Sequence, residues 1–186
     1  MILLIGCIAE EENPKDSANA AVFPVPADVL ISSTSIGPLR LGISLDSIAK
    51  KTKDLDIART SDGEGVALVE IALGLDTVIA YTGEEDPSSA VDATKPIRSL
   101  ETMTPGFQTA VGIHPGSLVS DAVSVYGRIA QIQKSEIESR EFVTFANQPK
   151  GMTFRLDSGS GVFDEGSTTT TRLVPRARIF SIMVSM

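Results

Sequence analysis

The chain has no tryptophan, one cysteine, one histidine and only 5% aromatic residues in 186 positions. A single cysteine cannot close a disulfide within the chain. One Cys and one His are too few for a structural zinc site, which draws its ligands mainly from those two residue types. With aromatics scarce, Val, Ile, Leu and Ala must fill any core. Cations are also short: 16 Lys and Arg face 24 Asp and Glu, for a formal charge of −8. Such a chain gains nothing from counterion release on DNA or RNA, so nucleic acid is excluded as a partner. The Gly-x-Ser-x-Gly elbow, the Walker loop, the dinucleotide fingerprint and the His-Glu-x-x-His metal motif are all missing. These gaps point away from most enzyme classes and imply no cofactor. What remains, 42% hydrophobic and 22% charged residues, is an ordinary soluble composition that can build one compact domain or two small halves.

The amino terminus begins Met1-Ile2-Leu3-Leu4-Ile5-Gly6-Cys7 and continues through Glu10-Glu11-Glu12. Its apolar run is far shorter than the roughly 20 residues that span a bilayer, and it reads as the end of a signal-peptide core. Leu4-Ile5-Gly6-Cys7 resembles the bacterial lipobox. That resemblance implies cleavage before Cys7, acylation of Cys7, and residues 1–6 as a signal remnant. It also implies a domain held on the membrane by a lipid anchor, facing the periplasm or the exterior of a bacterial envelope. No Lys or Arg precedes the run, a departure from the usual signal. The other reading is a buried amino-terminal strand ending in a core cysteine. Residues 7–35 read as the anchored cysteine and its tether, polar and Ala-rich to Ala21, then stiffened by Pro24 and Pro26. Val29-Leu30-Ile31 forms a candidate first strand.

Past Ser35 the pattern recurs. Gly42 and Gly116 lie 74 residues apart. Each ends a short apolar segment and precedes a serine placed to cap a helix, Ser44 or Ser117. Leu45, Ile48 and Ala49 fall on one helical face; so do Ala122, Val125 and Tyr126. Gly127 is placed to close the second helix. Strands follow at 66–71 and 77–81 in the first unit and at 141–145 and 152–156 in the second. A last strand closes each unit, at 97–102 and 179–184. The second unit carries a longer loop before it. The expected fold class is α+β: two similar helix-plus-antiparallel-strand units, at 36–109 and 110–186, forming one or two packed sheets.

Gly42-Ile43-Ser44-Leu45 and Gly116-Ser117-Leu118-Val119, each leading a short helix before antiparallel strands, resemble the tandem modules of β-lactamase-inhibitor-like and BamE-like envelope proteins. The stretch Thr104 to Ile113, with Gly116-Ser117 and Tyr126-Gly127, is also similar to a motif of uncharacterised bacterial secreted proteins. The resemblance implies protein binding or assistance in envelope assembly, and no particular partner.

Two acidic loops are the candidate binding loops: Glu84, Glu85, Asp86 and Asp92 in the first unit, Asp157, Asp164 and Glu165 in the second. Clustered carboxylates can hold calcium, but neither loop has the spacing of the twelve-residue calcium loop, and a solvated loop is the simpler reading. His114 could serve as a base with Ser117 or Asp121, but it sits in a Gly-Ile-His-Pro-Gly turn that suits a surface residue. Arg172, Arg176 and Arg178 either offset the acidic surface or bind an anion. The leading reading is an envelope lipoprotein acting as a binding or scaffold module. The alternatives are a small secreted hydrolase using the loop carboxylates and a purely structural lipoprotein.

Overall fold

The computed structural model describes residues 24–52, 55–136 and 138–186. Cys7, the signal remnant and the tether through Ala21 lie outside the described residues. The elements run β1 (Leu30–Ser32), β2 (Ser35–Ile36), β3 (Leu39–Arg40), α1 (Leu45–Ala49), β4 (Leu55–Ser61), β5 (Ala67–Leu73), β6 (Asp76–Tyr81) and β7 (Ser99–Thr102). The chain continues through β8 (Gln108–Thr109), α2 (Val119–Tyr126), β9 (Ile129–Lys134), β10 (Glu141–Phe145), β11 (Met152–Leu156), β12 (Thr169–Thr170) and β13 (Ile179–Ser185).

The expected α+β class is wrong: the molecule is mostly β, with 40% strand against 8% helix. Among the described residues the two helices have five and eight residues. The first stops because its apolar spacing gives way to Lys50-Lys51-Thr52. The second stops at Gly127, whose φ of 80° and ψ of −173° suit only glycine. Helices of this length do not hold a fold by themselves. The BamE-like resemblance carried the same α+β expectation, which falls with it.

One nine-stranded sheet dominates, in the order β12-β9-β10-β11-β13-β7-β6-β5-β4. Its pairings are antiparallel throughout. Strands β4 to β7 form one meander, and β9, β10, β11 and β13 form another. Their last strands pair with each other, Thr102 opposite Ile182 and Ser99 opposite Ser185. Both halves also close in the same way ahead of their helices. Gly42 and Ile43 exchange backbone hydrogen bonds with Ile97, as Gly116 and Ser117 do with Ile179. A separate four-stranded sheet, β3-β2-β1-β8, packs into the same core, with β8 parallel to β1. Its β1 and the start of β2 occupy chain expected to be tether.

Alternation along the strands decides which face is covered. Val69 and Ile71, Val78 and Ala80, Leu100, Ile182 and Val184, Phe154, and Val143 and Phe145 are all buried and belong to one core. That core also takes Leu45 and Ile48 of α1, Val119, Ala122 and Tyr126 of α2, and Ile31, Ile36 and Leu39 of the small sheet. Tyr126 fixes α2 on the sheet, its ring centroid 6.0 Å from Phe145 and 5.5 Å from Phe154. Two local expectations are corrected. Val125 is 44% exposed, because Val119, Ala122 and Tyr126 form the inward face of so short a helix. Ser44 and Ser117 make no helix-capping side-chain bond. Ser44 Oγ pairs with Ser47 Oγ, and Ser117 Oγ accepts the His114 amide one residue ahead of the actual cap, Leu118.

Candidate binding face

Among the described residues, the same alternation leaves the opposite face of the long sheet without a covering layer. In register across it stand Glu70 beside Ile79, Ile79 beside Glu101, Glu101 beside Met183, and Met183 beside Thr153. On the neighbouring row Arg155 lies between Ser181 and Phe142. A cavity of about 480 Å³ opens on this face. Leu68, Ile79, Met103 and Met183 supply its apolar lining; Tyr81 and Ser99 bring hydroxyls; Asp62, Glu70 and Glu101 bring carboxylates. Arg140 and Arg155 close one end, where a smaller pocket of about 100 Å³ reaches down to Phe142, Thr153 and Ser181.

Phe180 sits in a register shift of β13 opposite β11, and the Arg155 guanidinium stacks 4.6 Å from its ring centroid. Phe180 remains 36% exposed and Met183 half-buried. Although β13 is apolar on both faces in sequence, it is therefore left partly uncovered on this side. Burial pulls the Arg155 pKa down, the nearby Arg140 adds to that, and Glu101 and Glu138 oppose it. Glu101 takes the Ser181 hydroxyl, and Arg140 pairs with Glu138.

The acidic loop residues lie elsewhere, and most are occupied. Glu84 accepts Arg59 Nη2 at 2.6 Å, the Thr82 hydroxyl at 2.7 Å and the Asp92 amide at 3.1 Å. Its pKa is lowered, chiefly by the Arg59 hydrogen bond, against the raising effect of burial. Asp86 and Asp92 each close a local turn, through Ser88 and Thr94, and these bonds lower their pKa values. Asp164 pairs with Arg172. Glu85, Asp157 and Glu165 carry no side-chain hydrogen bond among the described residues, and Asp157 borders a separate surface pocket with His114. The two loops are not brought together. Each leads into the last strand of its half, and because β7 and β13 run antiparallel, the loops leave opposite ends of the sheet.

His114 Nδ1 donates to the Pro115 carbonyl at 2.8 Å, and Ser117 Oγ meets the His114 amide rather than its ring. Arg178 is tied to the Gly116 carbonyl. Among the described residues no three His, Cys, Asp or Glu side chains are grouped to hold a metal ion.

Sequence reasoning missed the open face. Its residues come from six strands and both halves, and Arg155 and Glu101 each read as an ordinary polar position on a half-buried strand. The available signal was the alternation in Met152 to Leu156, where an arginine stands between Phe154 and Leu156.

No family model matches the chain, and no curated protein matches it. Among solved structures, it is similar to that of the uncharacterized protein yfeY from Escherichia coli. The TM-score is 0.55 at 15% sequence identity, over 84% of this chain and 99% of that one. The likeness establishes a shared fold.

Proposed function

We propose that this chain is a bacterial envelope lipoprotein, anchored through acyl groups on Cys7, whose folded domain is a binding module. The observation that carries the reading is the long sheet itself, packed on one face and, among the described residues, open on the other, with a cavity lined by both apolar and charged side chains. A concave apolar site with a few placed polar groups is the usual form of a ligand site. The hydrolase alternative is weaker, because Glu84 and Asp164 already hold arginines and the two acidic loops are apart. The anchor rests on the lipobox resemblance at Leu4 to Cys7. Several acyl chains, at about 0.8 kcal/mol per buried CH₂, suffice to hold a soluble domain on a membrane.

Two measurements test the reading. Cys7→Ala should move the protein from the membrane to the soluble fraction; continued incorporation of labelled palmitate into that variant would overturn the anchor. A photo-crosslinking side chain at Ser99, inside the cavity, should give adducts in intact envelopes that the same group at exposed Glu165 does not. Identical adducts from both positions, or none from Ser99, would remove the face as a binding surface.

A further inference from the structure

We infer that the open face receives an extended peptide with a free carboxyl terminus, its carboxylate held by Arg155 and its chain crossing the strands toward Glu70. This rests on the binding-module reading and names the ligand. Arg155 has a charge to satisfy: among the described residues its guanidinium enters neither an ion pair nor a hydrogen bond, and Phe180 holds its plane. A guanidinium fixed in this way keeps its donor edge free, and that edge matches a carboxylate through two parallel bonds. The neighbouring groups do not use those donors. Glu101, one row away, takes the Ser181 hydroxyl, and Arg140 is held by Glu138, whose carboxylate offsets its charge, so that Arg155 is the guanidinium of this pocket with its donors free among the described residues.

The far end of the cavity has the opposite sign. Glu70 is exposed on β5, and Asp62 stands at the turn between β4 and β5. A ligand with an amino group at one end and a carboxylate at the other matches both. From β11 to β5 the sheet order gives four strand-to-strand steps, or about 19 Å at the usual spacing. An extended peptide of about six residues covers that distance. Between the ends, Ile79, Met103 and Met183 offer apolar contact, and the Tyr81 and Ser99 hydroxyls offer partners for a peptide backbone. A fatty-acid anion of the same length would satisfy Arg155 but would lay its tail against Glu70 and Asp62, where burial of charged carboxylates away from water is costly.

The test is equilibrium dialysis of the full chain carrying Cys7→Ala. The probes are a mixed pool of synthetic hexapeptides with free termini, the same pool amidated at the carboxyl end, and palmitate. The free pool should be retained about tenfold more strongly than the amidated pool, as expected for loss of a charge-assisted pair. Arg155→Gln should abolish that preference, and Arg128→Gln, at an exposed position outside the cavity, should leave it intact. Arg155→Lys, which keeps the charge but not the fork, should retain a reduced preference. Equal retention of the two pools overturns the inference, as does wild-type behaviour of Arg155→Gln or retention of palmitate in place of peptide. Ser99 adducts in envelopes without peptide retention would overturn the peptide alone; absence of both would overturn the face as well.

Discussion

Replacing Glu84 with glutamine should destabilise the domain at neutral pH and have no effect in acid. Glu84 and Arg59 are largely shielded, with side-chain exposures of 10% and 13%. The pair fastens the loop after β6 to strand β4 at the edge of the sheet. Arg59 also donates to the carbonyls of Ser89 at 3.1 Å and Ala90 at 3.0 Å, and Glu84 also receives the Thr82 hydroxyl and the Asp92 amide. Glutamine keeps one acceptor oxygen and loses the charge. A hydrogen bond to a charged group contributes roughly 1.5–3 kcal/mol, and because Arg59 retains its backbone carbonyl partners the loss falls near the lower end, about 1.5–2 kcal/mol. For a domain of this size that lowers Tm by about 3–8 °C. The folded-state pKa of Glu84 lies below its ordinary value. Its stabilisation is therefore complete above the unfolded pKa, about 4.3, and is lost as pH falls through the folded pKa. Urea unfolding of wild type and Glu84→Gln at a series of pH values from 7 downward measures the gap directly. A gap that stays constant with pH, or one below about 0.5 kcal/mol at pH 7, would show that the pair does not latch the loop.

Phe154→Ala should cost roughly 3–5 kcal/mol, since the ring is fully buried against Tyr126 and Phe145, whereas Val125→Ala should cost under about 0.5 kcal/mol in the same urea assay. Glu141, buried, accepts the Gly159 and Gly161 amides; Glu141→Ala should speed hydrogen exchange at both while amides of β6 stay protected. Gly37→Ala should destabilise by more than 1 kcal/mol, because its φ is +52° and a methyl group would stand 2.6 Å from the Asp28 carbonyl; thermal melting checks this. Deleting residues 179–186 removes a strand paired on both sides and should yield an unfolded chain by circular dichroism; a folded truncation would contradict the sheet order.

How much was legible follows from where the physical signal resides. Apolar alternation located β5, β6, β10, β11 and β13 to within a residue or two, because one buried face imposes a period of two along a strand. Glycines at 42, 116 and 127 marked both helix starts and one helix end, because a left-handed backbone is a local requirement. Strand β4 escaped because it is an edge strand, half exposed along Leu55 to Ser61, whose charges blur the alternation. Strand β9 escaped because Ile129 and Ile132 are three apart, the spacing of a helix, with a register irregularity opposite. The chain by itself determined these segments, the scarcity of cysteine and histidine, the acidic composition and the lipobox-like start. Only the tertiary structure decided that β7 and β13 pair and join the two meanders into one sheet. That long-range pairing makes the molecule mostly β, sends the two acidic loops to opposite ends, and sets Arg155 across the sheet from Glu70. No local pattern encodes it, because a strand's own residues specify which of its faces is buried and leave open which strand lies beside it.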